Sequence, residues 1–137
     1  MDVSTAWNNT YTRINASVTD PIIATRTSPK WIYGAFPDVF AKDFNGFPMI
    51  VITPFSQKED IVTLKNDTKR KEYVSDIEVI SKSSKECDDL VTSVISALET
   101  VTGLNLEKVE HVGYRQIPFG GKRLHVRNVI SRWVTYD

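Results

Sequence analysis

The stretch from Ser84 to Thr102 constrains the fold more than any other. Cys87, Leu90, Val91, Val94, Ile95, Leu98 and Val101 recur at helical spacing, so one side of a helix is an apolar stripe. Ser83 followed by Glu86 makes a capping box, in which each side chain satisfies an otherwise unpaired N–H. Asp88 and Asp89 suit the positive end of the helix dipole, and Gly103 is a natural left-handed residue beyond the C-terminus. A helix so rich in β-branched residues needs a surface to pack on. The segments around it supply one, because they read as strands.

Tyr73 to Ser81 alternates, with Tyr73, Ile77 and Val79 on one face and Val74, Glu78 and Ile80 on the other. Met49 to Thr53 is apolar and β-branched between Pro48 and Pro54, which predicts a strand covered on both faces. Leu106 to Pro118 and Lys122 to Tyr136 form two more strands, joined by Phe119-Gly120-Gly121. In the second, Leu124, Val126, Ile130 and Val134 share a face. His125, Arg127, Val129, Ser131, Trp133 and Thr135 share the other.

The rest of the chain is less regular. Trp7, Tyr11, Ile14 and Val18 mark one face of a short polar helix from about Thr5 to Val18, which Asp20-Pro21 should end. Ile22 to Phe47 is loop-like, with a short strand at Lys30 to Tyr33 and an Asn-Gly turn signal at Asn45-Gly46. Ile61 to Leu64 reads as a brief strand and Lys65 to Glu72 as a charged loop. The whole predicts one α+β domain over residues 1–137. Its sheet is mainly antiparallel, of about four to five strands, with the helices packed on one face. A chain of 137 residues is long enough to bury such a core without a metal or disulfide staple.

The chemistry-bearing residues are sparse. Gly120-Gly121-Lys122 resembles a phosphate loop, but Arg123 stands where Ser or Thr is needed and no helix follows, so it reads as a hairpin turn. Cys87, His111 and His125 match no zinc spacing, and Cys87 belongs to the helix stripe. Pro37-Asp38 with Asp67-Thr68-Lys69 loosely fits a PD-(D/E)xK nuclease, in which two acids hold Mg²⁺. That Asp-x-Lys falls in a charged loop rather than on a rigid strand. No serine sits in a Gly-x-Ser-x-Gly elbow. Asn8, Asn15 and Asn66 begin glycosylation triplets, read as chance because Met1 to Thr5 does not look like a signal peptide. No catalytic, cofactor-binding or metal site is expected.

Lys+Arg and Asp+Glu balance at 17 each, so the chain as a whole has no pull toward nucleic acid, and no apolar run is long enough to span a membrane. The charges are unevenly placed, however. Lys65, Lys69, Arg70 and Lys71 crowd one loop; Arg115, Lys122, Arg123, Arg127 and Arg132 crowd the last hairpin; Glu86, Asp88, Asp89 and Glu99 lie on the helix. Two readings stay open: an ordinary solvated surface, or complementary faces that meet between copies of the chain. On the second, Lys65, Lys69, Arg70, Lys71, Lys122 and Arg123 are the protein-interface candidates.

The run Trp31-Ile32-Tyr33-Gly34-Ala35-Phe36-Pro37, then Phe47-Pro48-Met49-Ile50-Val51-Ile52, resembles tail-completion proteins of long-tailed bacterial and archaeal viruses. So does the order of a strand at Asp76 to Ile80, a helix at Ser84 to Thr102 and a hairpin from Val112 to Val134. The resemblance implies a non-enzymatic tail terminator without cofactors. It would form a homo-oligomeric ring, usually hexameric, that caps the tail tube and joins it to the head connector. Its partners would then be its own copies, the tail tube protein and a connector or neck protein. DNA would pass through the ring without being read, no membrane would be involved, and the protein would be made in the host cytoplasm and end in the virion. Another neck protein is the near alternative. The metal-dependent nuclease and a monomeric host adaptor are the other classes.

Overall fold

The computed structural model describes residues 2–61, 69–99 and 106–136. Helix α1 spans Val3–Ser17, followed by a single 3-10 turn at Ile23–Thr25. The strands are β1 (Ile32–Tyr33), β2 (Met49–Ile52), β3 (Ser56–Ile61) and β4 (Lys69–Ser81). Helix α2 (Ser84–Glu99) leads to β5 (Leu106–Phe119) and β6 (Lys122–Tyr136). The six strands make one sheet in the order β1-β2-β4-β6-β5, with β3 beside β4. Among the described residues β1–β2 is the parallel pair and the other pairings are antiparallel. The fold is α+β as expected, with more strands.

Alternation along the strands sorts the core into two clusters. Ile50, Ile52, Tyr73, Ile77, Val79, Val129 and Trp133 face the helices, where they meet Ile14 of α1 and Cys87, Val91, Val94 and Leu98 of α2. Met49, Val51, Ile80, Leu124 and Val126 face the other way, under Val39, Phe44, Phe47 and Phe119. β2 is thus buried on both sides, as its unbroken apolar run predicts. Leu98→Ala should cost about 2–5 kcal/mol by transfer loss plus cavity, since Leu98 is fully buried. Thermal unfolding measures it, and a change under about 0.5 kcal/mol would move the stripe out of the core.

Several local expectations need correction. Lys69 to Glu72 is not loop but the first turn-out of β4, paired with β3. The register sets Lys58 opposite Glu72 and Glu59 opposite Lys71, and such opposite-charge pairs support strands that lack an apolar face. Ile61 ends β3, while residues 62–68 and 100–105 lie outside the described residues, among them Lys65, Asp67, Val101 and Gly103. Gly46 takes the left-handed φ of +85°, but Asn45-Gly46 joins no hairpin, because β1 and β2 run parallel. The Asn45 amide instead donates to the carbonyls of Ser28 (2.6 Å) and Lys30 (2.5 Å). Helix α1 ends at Ser17, with Val18 already extended and buried, three residues before Pro21. Its buried positions include Ala6 and Thr10 as well as Ile14. The capping box is relayed. Glu86 N–H donates to Ser83 Oγ (3.3 Å), but Ser83 N–H donates to Ser81 Oγ (3.1 Å), and that hydroxyl donates to the Glu86 carboxylate (2.6 Å).

Candidate assembly interface

The β5–β6 hairpin turns at Gly120-Gly121, both in the left-handed region at φ +54° and +79°, the signature of a two-residue hairpin loop. Its tip carries Phe119 and the exposed Lys122 and Arg123. Phe40 stacks on Phe119 with ring centroids 5.5 Å apart, and Phe47 meets the same ring edge-on at 5.4 Å. Phe44 extends the cluster to Phe47 at 5.2 Å, and Lys82 Nζ lies 5.8 Å from the Phe47 ring. Most of this cluster is half-buried on the sheet face away from the helices. Phe40 is 81% exposed and Phe36 48%. Burying a phenylalanine is worth about 1.5–3 kcal/mol, so a nearly bare Phe40, stacked on Phe119 whose register partner is Lys122, is a surface suited to a partner.

The loop that carries Phe40 is held in shape. Asp38 Oδ1 accepts from the Phe40 N–H (3.0 Å), Ala41 N–H donates to the Asp38 carbonyl (3.2 Å), and Phe44 N–H donates to the Ala41 carbonyl (3.1 Å). At its end the buried Arg26 guanidinium donates to the carbonyls of Asn45, Gly46 and Pro48.

The sequence-based candidates divide between two ends of the molecule. Lys122 and Arg123 stand at the aromatic tip, near Ser81 of β4. Lys69, Arg70 and Lys71 begin β4, and the thirteen residues from Lys69 to Ser81 span about 40 Å. They do not form one patch with Lys122 and Arg123. Much of the charge is also paired within the chain. Lys69 meets Glu59 at 3.0 Å, Arg70 and Arg132 meet Glu72 at 2.8 and 3.0 Å, and Arg115 meets Glu78 at 3.3 Å. Arg127 meets Asp88 at 2.6 Å and Lys85 meets Asp89 at 2.9 Å, so the acidic helix start already faces cations of its own chain. The Arg70 hydrogen bond, with Arg132 close by, holds the Glu72 carboxyl below its usual range.

Among the described residues the enzymatic candidates do not come together. Asp38 sits in the tip loop and Lys69 at the opposite end of β4, so this pair of the nuclease pattern does not converge. Cys87 is buried, its S–H donating to the Val79 carbonyl at 3.3 Å, and burial pushes the thiol up to about 11. His125 shares a hydrogen bond of 2.6 Å with the Tyr114 hydroxyl. Among the described residues no three His, Cys, Asp or Glu side chains gather as a metal would need.

The aromatic half of this surface was not singled out in the sequence. The available signal was the placement of four of the six phenylalanines at 36, 40, 44 and 47, within a segment bearing Pro37 and Gly46.

No family model and no curated protein sequence matches the chain. Among solved structures it is similar to a chain of the virion of a native gene transfer agent particle, with a TM-score of 0.59 and 13% identity over 96% of each chain. At that identity the likeness is one of fold, and it runs the length of both chains.

Proposed function

We propose that the chain is a structural virion protein of the tail-terminator kind, a non-enzymatic subunit that works in a ring at the head-proximal end of a tail tube. The observation that carries this reading is the exposed Phe40 stacked on Phe119, at the hairpin tip that bears Lys122 and Arg123, on a fold similar over 96% of both chains to a virion chain. An apolar centre with a cationic rim suits docking onto a neighbouring virion protein with an acidic rim. The neighbours are the tail tube protein and a connector or neck protein. Phe40→Asp with Arg123→Glu, introduced into the particle, should leave the fold intact by circular dichroism and prevent head–tail joining in electron micrographs. Overlong tails in the variant would favour termination, whereas tails of normal length lying free would favour the neck alternative. Normal particles would show that this surface is merely solvated.

A further inference from the structure

Asn45-Gly46 is the one Asn-Gly pair in the sequence. Asparagine is a chemically labile residue, and most so before glycine, which has no side chain to hinder its own backbone nitrogen. In deamidation the Gly46 N–H gives its proton to water and the nitrogen attacks Asn45 Cγ. The Cγ–Nδ2 bond breaks, and the amide nitrogen takes a proton back and leaves as ammonia. Water then opens the cyclic imide at either carbonyl, giving aspartate or, where the backbone runs on through the side chain, isoaspartate. One water is consumed and one ammonia released.

The fold holds each participant away from this path. Asn45 is 8% exposed. Its Nδ2 donates to the carbonyls of Ser28 (2.6 Å) and Lys30 (2.5 Å) and to Ser28 Oγ (2.9 Å), and its Oδ1 accepts from the Ser28 N–H (3.0 Å). The amide is thus bound to a segment 15 and 17 residues earlier in the chain. Ring closure would need those bonds released and the backbone at Asn45 rotated. Arg26 opposes the rotation. Its Nη1 donates to the Asn45 carbonyl (3.0 Å) and the Gly46 carbonyl (3.1 Å), pinning the peptide that contains the Gly46 nitrogen and the one after it. Asp20 holds that guanidinium from its other side.

We propose that Asn45-Gly46 is a site of spontaneous covalent modification gated by the Asp20–Arg26 clamp, closed in the folded chain and open to deamidation once the segment has come away from Ser28 and Lys30. The change is one-way. An aspartate at this position would set carboxylate oxygens against the Ser28 and Lys30 carbonyls, which require donors. Isoaspartate would also lengthen the backbone beside the carbonyls that Arg26 holds. A modified chain does not rebuild the contact that ends the Phe40 loop. The chemistry is independent of the assembly reading above.

Peptide mapping by mass spectrometry of the full chain, kept folded or in denaturing urea at the same mildly alkaline pH, tests this. Asn45 should convert about a hundredfold more slowly in the folded chain, the closed-to-open ratio of a segment that opens locally. Equal rates overturn the proposal, and this comparison on the unaltered chain stands whether or not any variant folds. The Asp20→Asn, Arg26→Met double variant removes the clamp without leaving a buried charge, and should deamidate about tenfold faster than the parent while circular dichroism reports it folded. Leu98→Ala weakens the core but leaves the clamp, and should stay near the parent rate. If it accelerates as much as the double variant, whole-chain unfolding rather than the clamp is the gate and the proposal fails. Chain deamidated in urea and refolded should melt about 5–10 °C below chain refolded without that incubation. An unchanged melting temperature would overturn the one-way step.

Discussion

Replacing Asp20 with alanine is expected to destabilise the fold by about 3–5 kcal/mol, because it strands a buried cation. Arg26 has no exposed side-chain surface and Asp20 has 2%, and the Arg26 Nε–Asp20 Oδ2 distance is 2.5 Å. The guanidinium does more than pair. It donates to three carbonyls at the end of the Phe40 loop and lies 5.6 Å from the Trp31 ring. Asp20 also accepts from the Ile22 N–H at 3.1 Å, so the pair shapes the chain on both sides of the 3-10 turn. Without the carboxylate, Arg26 keeps neutral carbonyl partners but loses the charge that offsets its desolvation. Domains are stable by only about 5–15 kcal/mol, so the variant should populate unfolded chain under mild stress. Urea titration of Asp20→Ala measures the loss. An Asp20→Asn, Arg26→Met double variant should lose less than Asp20→Ala, since no unpaired charge remains. A single-variant loss under about 0.5 kcal/mol, the scale of a surface change, would mean that water reaches the pair.

What the sequence disclosed depended on whether the determining contacts were periodic. α2, β2, the apolar half of β4 and the β5–β6 hairpin were legible, because each buries a face at a fixed repeat and ends in a recognisable cap or turn. β3 was not, because Ser56-Gln57-Lys58-Glu59-Asp60 has no apolar alternation and exists as a strand through its register with β4. The same register turned Lys69 to Glu72 from expected loop into strand. Charge clusters were visible along the chain, but their partners were not. Arg127 and Asp88 are 39 residues apart and 2.6 Å in space. The candidate interface was half legible. Lys122 and Arg123 stood out as cations at a glycine turn. Phe40 lies in an irregular loop, where the four-four-three spacing of Phe36, Phe40, Phe44 and Phe47 marks no helix, and its ring partner Phe119 comes from the far end of the chain.

Trp133→Ala should cost about 3–5 kcal/mol, because a fully buried indole holds α1 to the sheet. Trp133 points from β6 into the helix-side core. Its Nε1–H donates to Thr10 Oγ1 at 3.1 Å, and that hydroxyl donates in turn to the Ala6 carbonyl at 2.9 Å. Thr10 is thus a buried polar residue in the middle of α1, tolerated because its hydroxyl both accepts and donates. The chain Trp133–Thr10–Ala6 ties α1 to β6 in one rotation about the helix axis. Thr10→Val keeps the shape and removes the acceptor, which leaves a buried indole N–H unpaired at about 1–3 kcal/mol. Trp133→Phe removes the donor and some volume. Combined, Thr10→Val and Trp133→Phe should cost less than the sum of the two singles, since the second change no longer breaks a hydrogen bond. Chemical denaturation of the four proteins in this cycle gives the coupling directly. Strict additivity would mean that the Trp133–Thr10 bond contributes nothing, and that apolar packing alone sets the rotation of α1.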